Sequence, residues 1–296
     1  MSSWRNFKST LESGGNRMSQ QVHITINGQC YTANSDQSIL KVAEENYIFI
    51  PRLCFLEGIH EEGNCRLCSV KVNGQKNLKP ACRTLVEEGM NIITDDVDIY
   101  RSVSTNLELL SHKHRFECFT CSREDNCEFL DLLKRYSIEN DLNHMYGLYD
   151  KPLYFSDSSG VMVIDSSKCV LCGRCVSACE QLSGLSILGF NGRGSDTYIG
   201  PALFHDLEDS GCIYCGKCIQ ACPTGALGEK DDVKSLEYAL RDPNKTIIAQ
   251  VAPSVRAALG EEFGYPIGTN VEGKMFAALR ALGVHQIMDT NFTADL

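Results

Sequence analysis

Two stretches of the chain, SKCVLCGRCVSAC at residues 167–179 and SGCIYCGKCIQACP at residues 210–223, carry one cysteine pattern, C-x2-C-x2-C-x3-C. They form the clearest internal repeat in the sequence. Four cysteines set this tightly do not readily close on a single zinc ion. In the bacterial ferredoxin arrangement, the first three cysteines of each motif bind one [4Fe–4S] cube and the fourth crosses to the other. That pattern assigns Cys169, Cys172, Cys175 and Cys222 to one cube, and Cys212, Cys215, Cys218 and Cys179 to the second.

Upstream, Cys54, Cys65, Cys68 and Cys82 are spaced C-x10-C-x2-C-x13-C. The tight pair sits in a glycine-flanked loop, as in plant-type [2Fe–2S] sites, although the segment before it is longer than the plant-type spacing. On spacing alone a [2Fe–2S] cluster and a zinc ion both remain open. Between this set and the repeats lies HKHRFECFTCSREDNC, residues 112–127, with three cysteines: Cys118, Cys121 and Cys127. A tetrahedral site needs a fourth ligand. Cys30 lies in a predicted hairpin strand far away in sequence and reads as a partly buried thiol acting as a small apolar residue. A histidine is the better candidate. His114 gives H-x3-C-x2-C-x5-C, His112 lies two residues further upstream, and spacing leaves the choice between them open.

Sixteen cysteines in 296 residues imply either a disulfide framework or metal ligands in a reducing compartment. The first needs an export signal. The N-terminal MSSWRNFKSTLESGGNRMSQQ has no apolar core, and no run approaches membrane-spanning length. The expectation is a cytoplasmic chain whose cysteines are mostly ligands. A net charge of −10 without a Lys/Arg cluster argues against nucleic acid or an anionic membrane as partner.

The remaining texture divides the chain. Residues 1–18 are polar and read as a flexible tail. Two alternating runs flank Asn27-Gly28 and a second pair flanks Asn73-Gly74, both hairpin signals. With the short helix SILKVAEEN between them, they suggest a β-grasp-like domain over 19–97. DVDIYRSVSTNLELL and CEFLDLLKRY read as helices around the three-cysteine stretch, giving a helical domain over 98–150. The repeats occupy 151–240. From Lys245 the pattern becomes strand, helix, helix, strand: KTIIAQVA as a buried-type strand, PSVRAALGEEFG with proline in the first helical turn, EGKMFAALRALG with Met275, Leu279 and Leu282 on one stripe and Gly283 as cap, then VHQIMD. The predicted class is α+β, ending in an incomplete α/β segment over 241–296. NGRGSDTYIG has G-x-G without the third glycine or a strand-to-helix setting, so it reads as a glycine turn, and no flavin or nucleotide site is expected on this chain.

This order of motifs resembles the electron-transfer arm of [FeFe]-hydrogenases of the NAD(P)-linked and electron-bifurcating type, over about residues 20–296. Diaphorase subunits and some NAD-linked formate dehydrogenases share the arm. The resemblance implies one [2Fe–2S] and three [4Fe–4S] clusters, and it carries the ligand role onto His114, with His112 a neighbour. It also implies a partner subunit that binds flavin and NAD(P), or else ferredoxin or a catalytic hydrogenase or formate dehydrogenase subunit, in a hetero-oligomer. VAPSVRAALGEEFG and DTNFTADL resemble the opening of the hydrogen-activating domain, in which Ala252, Pro253 and Ser254 would line the H-cluster pocket. The cysteine motifs that hold the H-cluster in the family, such as TSCCP, do not occur in these 296 residues. The expectation is an electron relay: either an arm of a longer hydrogenase, or a subunit without the H-cluster in a transhydrogenase or formate dehydrogenase complex.

Overall fold

The structure, a computed structural model, describes residues 20–138, 154–157 and 160–291. The expected flexible tail over 1–18 and most of the polar stretch after residue 137 lie outside them. The chain divides into two compact units, Met1–Lys230 and Asp231–Leu296.

The first unit opens with the predicted hairpin. Strands β1 (Gln21–Ile26) and β2 (Gln29–Asn34) pair antiparallel around Asn27 and Gly28. Both turn residues have positive φ, 52° and 83°, the left-handed pair that a type I′ turn needs and that Asn-Gly supplies at least cost. Helix α1 (Ile39–Glu45) starts at Ser38, whose hydroxyl accepts from the Lys41 N–H. Strands β3 (Ser69–Val72) and β4 (Lys79–Pro80) form the second hairpin, turning at Asn73 and Gly74. Strand β5 (Asn91–Ile93), which the sequence reading missed, runs parallel to β1 and antiparallel to β3, so the sheet order is β2-β1-β5-β3-β4. Every second residue of β1 is buried, and Val22, Ile24 and Ile26 join Ile39, Leu40 and Val42 of α1 in one core with Val70 and Ile92. Each such side chain contributes about 1.5–3 kcal/mol by leaving water. Cys30 is exposed rather than partly buried, because β2 is an edge strand with most of its residues facing solvent.

Helix α2 (Val97–Ser111) follows, capped by Asp96, whose carboxylate accepts from the Ile99 N–H at 2.8 Å. Ile99, Val103 and Leu107 recur every four residues and bury one stripe. They meet Phe129, Leu132 and Leu133 of α3 (Glu128–Arg135) and Leu53 and Leu67 of the first domain in a second core. The repeats fold as strands β6 (Phe155–Ser156) and β7 (Met162–Asp165), helix α4 (Arg174–Ser183), the hairpin β8 (Gly189–Asn191) and β9 (Tyr198–Gly200), helix α5 (Lys217–Ala221) and strand β10 (Leu227–Glu229). β10, β7 and β6 make one antiparallel sheet. The glycine turn over 191–200 is therefore the tip of the β8–β9 hairpin.

The second unit holds α6 (Val233–Arg241), β11 (Ile248–Val251), α7 (Val255–Glu262), α8 (Glu272–Ala281) and β12 (Gln286–Asp289), with β11 and β12 parallel. The strand–helix–helix–strand order is as expected, and Gly283 follows α8 at φ 103°. Three details differ. Pro253 precedes the cap residue Ser254 instead of entering the first turn of α7. Leu282 is 67% exposed, since it sits at the end of α8, past the buried turn of Met275. β11 is half-exposed, not buried, because a two-stranded sheet offers little cover to its faces.

Replacing Asp96 by alanine removes the α2 cap and should weaken that helix by about 1 kcal/mol. Amide exchange at Ile99 should accelerate accordingly, while exchange in β1 stays unchanged.

Candidate iron–sulfur sites

The two repeat loops have the same local geometry. In each, the residue before the second cysteine is left-handed, Leu171 at φ 53° and Tyr214 at φ 53°, and the glycine after it is left-handed too, Gly173 at 86° and Gly216 at 72°. A non-glycine residue in this region costs roughly 1–2 kcal/mol. The curl it produces turns backbone N–H groups inward: Leu171 N–H points to the Cys169 sulfur at 3.3 Å, and Tyr214 N–H to the Cys212 sulfur at 3.4 Å. Such bonds stabilise thiolate ligands and tune a cluster that they hold.

One cavity is lined by Cys169, Cys172, Cys175 and Cys222, and a second by Cys179, Cys212, Cys215 and Cys218. In both sets the fourth cysteine comes from the opposite motif, as the ferredoxin pattern predicts. Apolar surroundings push the Cys169 and Cys218 thiols up to about 12, and Cys172 and Cys175 also upward. Bare thiolates are thus disfavoured here, and a metal centre that takes up their charge suits the lining. Among the described residues, no three His, Cys, Asp or Glu side chains converge to hold a single metal ion. The repeat cysteines stand around two voids, an arrangement with room for a cluster.

In the first domain the sulfurs fall into two pairs. The Cys54 and Cys65 thiols share a hydrogen bond, and the Cys65 N–H donates to the Cys54 sulfur at 3.4 Å. Cys68 and Cys82 lie 3.3 Å apart. Within each pair one thiol is held up and its partner down, because they share a proton. Two thiolates per iron is what a four-cysteine [2Fe–2S] site requires. The left-handed Arg66, at φ 56°, turns the loop between Cys65 and Cys68.

Around the three-cysteine stretch, Cys127 caps α3 through its sulfur, which accepts from Leu130 N–H at 3.4 Å. The His114 ring sits edge-on to Phe116 and Phe129, 4.8 and 5.3 Å between centroids, in the core that Cys118 and Cys127 border. Burial drives its pKa down to about 4, so the imidazole is neutral and able to ligate. Its Nδ1 is buried with no hydrogen-bond partner. His112, by contrast, closes the exposed end of α2. A buried, orphaned nitrogen on a neutral, partly buried ring fits a metal ligand.

Residues 223–225 join this stretch to the first repeat loop. The Cys127 sulfur faces the Pro223 carbonyl at 3.7 Å, and Thr224, 1% exposed, donates to the Lys168 carbonyl beside Cys169. Any Cβ on Gly225 would come within 2.3 Å of the Cys121 sulfur. Sequence reasoning missed Gly225, since its backbone is not left-handed and it follows no turn signal.

In the second unit, Ala252, Pro253 and Ser254 are exposed at the carboxyl end of β11. Arg256 holds this edge together. It pairs with Glu272 and Asp289, each at 2.8 Å, and its Nε donates to the Pro253 carbonyl at 3.2 Å. The carboxyl ends of parallel strands are where open α/β sheets bind ligands.

The modules match known families in this order. Residues 19–97 match a 2Fe-2S iron-sulfur cluster binding domain, and 104–141 the NADH-ubiquinone oxidoreductase-G iron-sulfur binding region. Residues 160–228 match the ferredoxin-like domain of NADH-quinone oxidoreductase subunit 3, and 245–296 the C-terminal domain of the iron only hydrogenase large subunit. Together they define a multi-cluster iron–sulfur electron-transfer chain. Iron hydrogenase 1 of Clostridium pasteurianum is 41% identical over 92% of this chain, and the NADP-reducing hydrogenase subunit HndD of Solidesulfovibrio fructosivorans is 37% identical over 92%. The chain spans 47% of the length of each of them. Over these residues it resembles the electron-transfer arm of NAD(P)-linked [FeFe]-hydrogenases. The NAD-reducing hydrogenase HoxS subunit gamma of Cupriavidus necator is 29% identical over 60% of this chain and 74% of its own length. A crystal structure of NAD+-reducing [NiFe]-hydrogenase in the H2-reduced state shares the fold, at TM-score 0.63 and 24% identity, over 71% of this chain and 87% of that one. No helix among the described residues is long and apolar enough to cross a membrane.

Gly225→Ala should expel or displace Cys121 and cost the protein one four-iron centre. Iron content should fall by about four atoms per chain while the two-iron spectrum persists. Unchanged iron would mean that Cys121 is not a ligand.

Proposed function

We propose that this chain is a cytoplasmic electron relay with one [2Fe–2S] and three [4Fe–4S] clusters. Cys54, Cys65, Cys68 and Cys82 hold the first. His114, Cys118, Cys121 and Cys127 hold the second, and the two repeat sets hold the cubes. Bound clusters supply one-electron transfer; the chain's own residues position them, exclude water and set their potentials. One observation carries the reading. Cys54, Cys65, Cys118, Cys127 and Cys172, from three of the four ligand sets, border a single apolar core. Three redox centres held by one core stand close enough to exchange electrons.

The relay runs between a flavin- and NAD(P)-binding subunit or ferredoxin at one side, and a hydrogenase-type catalytic site at the other. The resemblance of residues 245–296 to the hydrogenase catalytic domain supports the second end. Flavin and nucleotide belong to the partner in this reading. The neutral His114 removes one negative charge from its ligand set, so that cluster takes up an electron more easily than an all-cysteine one.

Anaerobic reconstitution should load roughly 14 iron atoms per chain. His114→Cys should keep its cluster but lower its potential in a redox titration followed by electron paramagnetic resonance. His112→Ala should leave the spectrum as it is. Loss of the cluster in His112→Ala, with retention in His114→Ala, would reverse the ligand assignment.

A further inference from the structure

The two repeats differ at several positions of their matched loops, and one of these carries a charge in both. After the turn glycine, the first has Arg174 and the second Lys217. Arg174 is 4% exposed, whereas Lys217 faces solvent. The Arg174 guanidinium grips the Glu128 carboxylate with both terminal nitrogens, at 2.7 and 2.9 Å, and donates to the Phe55 carbonyl at 3.0 Å. Each partner is the chain neighbour of a cysteine from a different site. Phe55 follows Cys54, Glu128 follows Cys127, and Arg174 itself lies between Cys172 and Cys175. One side chain therefore ties together segments of three ligand sets. Its Nε is buried with no acceptor among the described protein atoms.

A second tie runs beside it. His60, 4% exposed, comes from the loop between Cys54 and Cys65. Its Nδ1 shares a hydrogen bond of 2.7 Å with the Ser177 hydroxyl of α4. The ring lies over Gly173, where any Cβ would come within 2.9 Å of it, while the equivalent Gly216 faces open space. These ties to the Cys54–Cys65 loop thus come from the first motif.

We propose that Arg174 is the positioning residue of a three-centre junction: it fixes the [2Fe–2S] loop and the His114 site against the first cube, and its charge balance with Glu128 sets that cube's potential. This rests on the relay reading above. The physical basis is the partly dry setting. The Arg174 guanidinium is buried and little screened, while the half-exposed Glu128 carboxylate is screened in part, and each acts on an electron held nearby. Removing the arginine leaves an uncompensated carboxylate that repels the incoming electron. Removing the carboxylate leaves an uncompensated cation that attracts it.

The test uses the full, reconstituted 296-residue chain. Three quantities are read: iron content, the midpoint potential of each cluster, and the spin–spin interaction between the reduced [2Fe–2S] centre and the first cube. Arg174→Gln should retain its iron, lower the potential of the first cube and weaken the spin interaction. Glu128→Gln should shift that potential the opposite way. Arg174→Lys should hold the potential, because the charge stays, yet lose spin interaction, because a single ammonium cannot replace the fork. Lys217→Gln should change none of these. A purely structural role would move the first cube's potential in the same direction in Arg174→Gln and Glu128→Gln, and that result would overturn the proposal. So would fully loaded variants in which nothing shifts. Should Arg174→Gln fail to fold, Glu128→Gln must still raise the potential on its own, and no rise would count against the proposal. Wild-type protein without four-iron signals would instead sink the relay reading, and this proposal with it.

Discussion

Burying thiolate ligands in an apolar interior is the constraint that the rest of this molecule answers to. A lone thiolate in such surroundings is costly, and burial raises the Cys169, Cys172, Cys175 and Cys218 thiols well above their ordinary range. The chain answers in three ways. It curls each ligand loop through left-handed residues so that peptide N–H groups face sulfur. It pairs sulfurs, as at Cys68 and Cys82. And it leaves voids ringed by four cysteines, where iron can take the charge. The folding of these loops and the binding of their metal are therefore linked, as in other small metal domains.

The same constraint explains why the domains lean on one another. A ligand loop cannot bury its sulfurs with its own residues, because most of its backbone is spent on turns. Helix α2 provides the cover. Its stripe of Ile99, Val103 and Leu107 meets Leu53 and Leu67 on one side and Phe129 and Leu133 on the other. Arg174 is the polar counterpart of that core. An ion pair with one buried partner is weak evidence for added stability, since desolvation of the arginine offsets much of the Coulomb attraction. Its value lies in specificity. A planar fork satisfied by Glu128 and the Phe55 carbonyl admits one geometry.

Much of the site was legible in the sequence because metal ligands obey fixed spacings. The grouping of Cys222 with the first motif and of Cys179 with the second follows from C-x2-C-x2-C-x3-C, and the same sets line the two cavities. Both Asn-Gly hairpins were legible for an equally local reason, the left-handed turn pair. What stayed hidden is non-local. Strand β5 has only three residues and no alternation to announce it; its parallel partner β1 lies more than sixty residues away. His60, Gly225 and Arg174 have ordinary neighbours in sequence, and their meaning arises from what folds against them. His114 is intermediate. Spacing left two histidines open, and the partly buried ring between Phe116 and Phe129 distinguishes one of them by its surroundings.

The relative size of these effects orders how the chain can set its potentials. Swapping a thiolate for a neutral imidazole changes the ligand charge by one unit; at about 4 Å and an effective dielectric of 20, a unit charge acts with roughly 4 kcal/mol. A hydrogen bond to a charged group contributes about 1.5–3 kcal/mol. Ligand identity therefore sets the coarse level, and peptide N–H groups adjust it. The two repeat loops have the same ligand types and the same N–H···S contact after their first cysteine, and Cys179 also accepts from the Ile187 N–H at 3.3 Å. Their surroundings differ as well. Cys172 of the first set lies two residues from the buried Arg174, whose partner Glu128 is half-exposed, while Cys215 of the second set is exposed to water.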